Sequence, residues 1–157
     1  GFPSILGAKI GCPDTPVIGF AGDGAFGISM SEMSSCVRKE WPNITMVIFR
    51  NYQWGAEKRN SILWFNDNFV GTELDPDLSF AKVANACGLK GITVKTMEET
   101  TKAIKQSCED QKDGKTTFIE VVLNQELGEP FRRDAMKKPV KVAGIDKKDM
   151  KPQKTLV

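Results

Sequence analysis

Asp23 stands between two glycines in Gly22-Asp23-Gly24, and Asn51 follows after 26 intervening residues. Both side chains present oxygen donors, and a backbone carbonyl shortly after Asn51 can add a third. Such a set suits a hard cation like Mg²⁺, which takes one or two protein carboxylates or carbonyls and fills its remaining positions with phosphate and water oxygens. The flanking glycines let phosphate oxygens approach the backbone, because no Cβ stands in the way. An aspartate in that turn would repel a bare diphosphate, whereas a bridging Mg²⁺ converts the repulsion into attraction. The spacing therefore reads as a metal and diphosphate anchor.

A second chemistry must be weighed on the same residues. Gly22-Asp-Gly-Ala-Phe-Gly27 also satisfies G-x-G-x-x-G, the turn of dinucleotide-binding folds. That fold places an acidic residue about 20 positions on, at the end of the next strand, to hold a ribose hydroxyl. Arg50 and Asn51 stand there instead. A phosphate loop of the G-x-x-x-x-G-K-[ST] type is absent. The chain has no histidine, which excludes His-based acid-base chemistry or a catalytic triad within it. Cys12, Cys36, Cys87 and Cys108 are widely spaced and form no C-x-x-C pair, so reduced thiols in a cytoplasmic protein are expected rather than a zinc site.

The elements that must position Asp23 and Asn51 are two short apolar runs, Val17 to Ala21 and Ile44 to Phe49. Each has the length and composition of a strand buried on both faces of a parallel sheet. Both candidate ligands then lie just past the carboxyl end of a strand, where open parallel sheets bind ligands. Between the strands, Ser29-Met-Ser-Glu32 is a capping-box pattern, and the helix it opens should turn Met33, Cys36 and Val37 inward and stop before Pro42. Pro3 to Ile10 predicts a helix ended by Gly11. Ser79 predicts the cap of a helix burying Phe80, Val83, Ala84 and Cys87 and closed by Gly88. Ile92 to Val94 predicts a strand, Thr96-Met-Glu-Glu99 caps a helix running to about Gln111, and Thr116 to Leu123 predicts the last strand. Strands alternating with helices give an α/β fold with a mostly parallel sheet and helices on both faces. The expected organisation is one diphosphate and Mg²⁺-binding domain over residues 1–125, followed by a tail over 126–157. From Arg132 onward that tail carries nine basic residues against three acidic ones, which reads as a solvated terminus rather than a nucleic-acid contact. No apolar run reaches the ~20 residues of a membrane span.

Gly22-Asp-Gly24 with Asn51 resembles the signature of the thiamine-diphosphate enzymes, in their diphosphate-binding domain. The usual Asn-Asn pair is here Arg50-Asn51, which leaves the metal-binding asparagine in place. The resemblance implies that Asp23, the Asn51 side chain and the Gln53 backbone carbonyl hold Mg²⁺, and that Gly22, Gly24 and Ala25 line the diphosphate of thiamine diphosphate. It also implies an activating glutamate from a pyrimidine-binding domain, usually on a neighbouring subunit, with no counterpart in this chain. A homo-oligomer is thus expected, and a chain starting at Gly1 in helix-like sequence is expected to be the carboxyl-terminal part of a longer enzyme. The part alone should be inactive, and without the first strand or strands of its domain it should expose apolar edges.

Within that family, Phe49-Arg-Asn-Tyr-Gln-Trp-Gly-Ala-Glu-Lys58 and Glu126-Leu-Gly-Glu-Pro-Phe-Arg-Arg-Asp-Ala135 resemble the sulfoacetaldehyde acetyltransferases. The implied reaction takes sulfoacetaldehyde and phosphate to acetyl phosphate and sulfite. Acetolactate synthases, 2-oxo-acid decarboxylases and a non-catalytic nucleotide-binding module are the competing readings. Because the substrates are anions, Arg132 and Arg133 are candidates for a sulfonate or phosphate clamp, a role suited to a planar guanidinium fork. Lys58 and Arg59 can also meet an anion, Trp54 and Trp64 can wall a pocket or simply pack, and Glu57 is a weaker candidate for proton transfer.

Overall fold

Strongly apolar runs bounded by turns are buried by pairing as parallel strands and being covered by helices on both faces. In a computed structural model that describes residues 1–40 and 43–126, β1 (Ile18–Gly22), β2 (Thr45–Arg50), β3 (Lys90–Val94) and β4 (Thr117–Val122) form one sheet in the order β1-β2-β4-β3. Every pairing is parallel, with Gly22 opposite Phe49 and Phe49 opposite Val121. The described residues form two units, one of 1–51 with 75–124 and one of 52–74 with Gln125 and Glu126.

In the first unit α1 (Phe2–Gly11) precedes β1, and the connection from β1 to β2 carries α2 (Asp23–Gly27) and a 3₁₀ turn (Met30–Glu32) that runs into α3 (Met33–Cys36). The second unit holds α4 (Gly55–Trp64), and the first resumes with α5 (Phe80–Ala86) and α6 (Met97–Lys112). Among the described residues no helix is long and apolar enough to cross a membrane.

Strand alternation distributes the core between two faces. Met46, Ile48 and Phe118 pack with Phe2 and Leu6 of α1, Phe26 of α2, Met33 and Cys36 of α3, and Phe80 and Ala84 of α5. Val47, Ile119, Val121 and Val94 pack on the opposite face beneath Ala103 and Ile104 of α6. Helices therefore cover both faces. Close approach is set by two glycines. A Cβ at Gly19 would lie 1.7 Å from Ile5 Cδ1 of α1, and one at Gly91 would lie 2.0 Å from the Ala81 carbonyl oxygen of α5.

Three local expectations fail. β1 is not buried on both faces: it is an edge of the described sheet, and Phe20 is 60% exposed, its ring stacked on that of Phe49 with centroids 6.1 Å apart. An apolar pentapeptide carries the same signal whether it has one strand neighbour or two. The Ser29 capping box does not form, because Glu32 Oε2 instead accepts a hydrogen bond from Ser35 Oγ at 3.1 Å. The helix it was to open ends at Cys36, and Val37, expected inward, is 48% exposed. The matching pattern at Thr96 does form: Thr96 Oγ1 accepts from the Glu99 N–H and Glu99 Oε2 accepts from the Thr96 N–H, both at 3.1 Å. Sixteen residues follow to propagate that helix.

Candidate functional site

Gly22 ends β1, and Asp23 begins α2 directly beyond it. The short helix is fixed to the core by Phe26. That ring is fully buried and sits 5.1 Å from Phe80, 5.2 Å from Phe2 and 5.9 Å from Phe118 between centroids. Burying one such side chain contributes roughly 1.5–3 kcal/mol, and edge-to-face ring pairs add about 0.5–1.5 kcal/mol. Asp23 is thus carried on a turn whose third following residue is locked.

Asn51 follows the last residue of β2, the strand paired with β1. Its backbone N–H donates to Asp23 Oδ2 at 3.0 Å, while the Gly24 N–H donates to Asp23 Oδ1 at 2.8 Å. The two residues singled out by spacing are therefore brought together at the carboxyl ends of adjacent parallel strands. Asp23 is buried, and each carboxylate oxygen has a fixed backbone donor. A carboxylate has about four lone-pair directions, so an oxygen that accepts a backbone N–H can also ligate a cation. Amide donors behind a ligand orient it toward its metal. A Cβ at Gly22 would meet nothing within 4 Å among the described residues, so the backbone there is open to approach. Ala25 lies in the same first turn of α2.

Gln53 belongs to the second unit. It forms an isolated antiparallel bridge with Glu73, held by hydrogen bonds from the Trp54 N–H to the Thr72 carbonyl at 2.8 Å and from the Leu74 N–H to the Tyr52 carbonyl at 2.9 Å. Those bonds flank Gln53 and leave its own carbonyl outside the ladder, as at any non-hydrogen-bonded antiparallel position. Its side chain is 2% exposed, with Nε2 donating to the Gln125 carbonyl at 2.7 Å and Oε1 lacking a partner among the described residues. Tyr52, between the two expected ligand residues, has φ 60°, a left-handed conformation that a non-glycine side chain disfavours by roughly 1–2 kcal/mol. Such outliers persist where neighbouring contacts over-determine the backbone, and they gather at functional sites.

The remaining candidates divide. Lys58 pairs with Glu73 and lies 5.4 Å from the Phe69 ring centroid. Arg59 is half-buried, Glu57 is exposed, and Trp54 is nearly half exposed while Trp64 is half-buried. Arg132 and Arg133 lie outside the described residues. Burial first, and then the charge of Glu32, push the Cys36 thiol up to about 12, which makes it an inert core group.

Glu120 and its partners escaped sequence reasoning. It is fully buried in the middle of β4 and accepts from Arg50 Nη1 at 2.9 Å, Ser79 Oγ at 2.7 Å, the Phe80 N–H at 3.1 Å and Thr93 Oγ1 at 3.0 Å. The available signal was a carboxylate inside an otherwise buried strand, which demands a cationic partner.

Among the described residues no three His, Cys, Asp or Glu side chains gather as a metal cage. A single carboxylate such as that of Asp23 suits a different kind of cation site, in which Mg²⁺ is bound by one or two protein carboxylates and completed by phosphate and water oxygens. The description "Thiamine pyrophosphate enzyme, C-terminal TPP binding domain" matches residues 1–121. The chain belongs to the thiamine pyrophosphate enzymes. It is 72% identical over 156 residues to the probable sulfoacetaldehyde acetyltransferase of Rhizobium meliloti (strain 1021), covering 99% of this chain and 26% of that protein. It is 67% identical over 153 residues to the sulfoacetaldehyde acetyltransferase of Roseovarius nubinhibens, covering 98% of this chain and 25% of that protein. The chain therefore spans about a quarter of the length of these relatives. Among solved structures, the benzoylformate decarboxylase from Polynucleobacter necessarius superposes with a TM-score of 0.68 at 27% identity, over 79% of this chain and 22% of that one. The thiamine pyrophosphate enzyme fold agrees with the α/β reading of the sequence.

Proposed function

We propose that this chain is the cofactor-anchoring part of a cytoplasmic sulfoacetaldehyde acetyltransferase, which converts sulfoacetaldehyde and phosphate to acetyl phosphate and sulfite. The likeness to enzymes of that name along almost the whole chain carries the proposal, and the paired placement of Asp23 and Asn51 supports it. Thiamine diphosphate supplies the chemistry at the aldehyde carbon when bound. The chain's own residues anchor it. Asp23, the Asn51 side-chain oxygen and the Gln53 carbonyl hold Mg²⁺, and Gly22, Gly24 and Ala25 admit the diphosphate to the backbone. Arg132 or Arg133 meets the sulfonate or phosphate, with charge-assisted hydrogen bonds from a planar fork. The activating glutamate comes from a pyrimidine-binding domain of a neighbouring subunit, so the working form is a homo-oligomer of the longer protein. In domain terms, residues 1–125 form the anchor and 126–157 a tail that contributes the arginines.

The test uses the full-length protein with thiamine diphosphate, Mg²⁺, sulfoacetaldehyde and phosphate. Sulfite and acetyl phosphate should appear in equal amounts and depend on both phosphate and cofactor. Carbon dioxide from pyruvate, with no sulfite from sulfoacetaldehyde, would instead assign the protein to the decarboxylating or acetolactate-forming enzymes.

A further inference from the structure

Arg50 occupies the position next to the expected metal ligand Asn51, and its side chain is not at the surface. It is 6% exposed, and Glu120 is 0% exposed. Taking such a pair out of water is costly unless geometry and further hydrogen bonds compensate. Here they do. Glu120 receives four donors from β2, β3 and the start of α5, and Arg50 Nη2 donates to the Pro76 carbonyl at 2.8 Å. The register sets Glu120 opposite Ile48 of β2 and Thr93 of β3, so Arg50, two residues beyond Ile48, reaches back diagonally on the same face. The Arg50 carbonyl also accepts from the Leu123 N–H at 2.8 Å.

The end of β2 is consequently tied through both the side chain and the carbonyl of Arg50. The next amide along the chain is the one that reaches Asp23. We propose that the buried Arg50–Glu120 pair is a positioning device, holding the carboxyl end of β2 so that Asn51 stays registered on Asp23 for Mg²⁺ and diphosphate binding. The functional part of this rests on the thiamine-diphosphate reading given above. Arginine is suited to the task because its planar fork spans Glu120 and the Pro76 carbonyl together, which a lysine ammonium cannot reproduce. Arg50 and Glu120 are positioning residues, not catalytic ones.

The deciding variant is Arg50→Met with Glu120→Gln in the full-length protein. It leaves no buried charge, and the glutamine oxygen still accepts from the Phe80 N–H, while the fork that fixes β2 is gone. Three quantities are compared with the parent: the melting temperature without cofactor, the Mg²⁺-dependent dissociation constant for thiamine diphosphate, and hydrogen exchange in a peptide containing Asn51. The melting temperature should change little. The dissociation constant should rise at least tenfold, and exchange at the Asn51 amide should accelerate at least tenfold while peptides from β4 stay protected. Unchanged exchange at Asn51 would overturn the proposal and leave the pair as a fold pin. Accelerated exchange in the double variant, with a parent that binds no thiamine diphosphate, would support the positioning of Asn51 and sink the functional reading alone. If the double variant does not fold, Arg50→Lys takes its place in the exchange measurement: faster exchange at Asn51 supports the proposal, and unchanged exchange overturns it.

Discussion

The backbone N–H of Asn51 donates to Oδ2 of Asp23 at 3.0 Å, and that bond joins the carboxyl ends of two adjacent parallel strands. Because Gly24 occupies the other oxygen, both carboxylate oxygens of Asp23 face backbone donors. Asp23→Asn is therefore not a mild change: its amide nitrogen would be set against one of the two N–H groups, leaving that donor unpaired. Asp23→Asn, Asp23→Ala and Asn51→Ala should each weaken Mg²⁺-dependent thiamine diphosphate binding in the full-length protein, by roughly 10–100-fold or more. Titration calorimetry reads this directly, and wild-type affinity in all three would remove Asp23 and Asn51 from the metal site.

The α/β class, the four strands and the meeting of Asp23 with Asn51 were all legible, because they depend on short apolar runs and on which strand ends a turn follows. What the sequence could not convey was which of several possible partners each residue takes. Glu32 pairs with Ser35 rather than closing a capping box, a competition invisible to a four-residue pattern. Phe20 reads as core but lies on an edge strand. Arg50 was legible only as a departure from an Asn-Asn pair, since its partner Glu120 is distant in sequence and meets it only once β2 and β4 have paired.

Gly91 should tolerate no side chain. Its Cβ would stand 2.0 Å from the Ala81 carbonyl oxygen, a backbone atom of α5 that cannot rotate away. Gly91→Ala should destabilise the protein by about 1–3 kcal/mol, the usual range for overpacking a filled site. Urea denaturation of the full-length protein should show a lower midpoint, and an unchanged midpoint would mean that α5 shifts freely over β3.

Cys36 should resist modification. Burial, reinforced by Glu32, raises its thiol from 9.0 to about 12, so at pH 8 the reactive thiolate is scarce in the folded protein. Iodoacetamide at pH 8 should label Cys36 slowly in the native state and at an ordinary thiol rate in denaturant. Equal rates in the two states, read by peptide mass spectrometry, would contradict its placement in the core.

Acid should weaken the protein through Asp110. Burial pushes this carboxyl up, but the hydrogen bond from Lys90 at 2.5 Å, then that from Gln106, then the Lys90 charge, and then the Thr117 hydroxyl outweigh it and hold the group below its ordinary 3.8. A carboxyl that is more acidic folded than unfolded stabilises the fold above the unfolded value. That contribution fades as pH falls below 3.8 and through the lower folded value. Asp110→Asn removes the ionisation while keeping a similar shape. It should therefore be less stable than the parent at pH 7, with the difference shrinking as the pH falls below 3.8, where the parent's carboxyl also becomes protonated. Thermal melts of both proteins across that range provide the check. A stability difference independent of pH would show that Asp110 acts through its shape and neutral hydrogen bonds, and that the charge facing Lys90 contributes nothing.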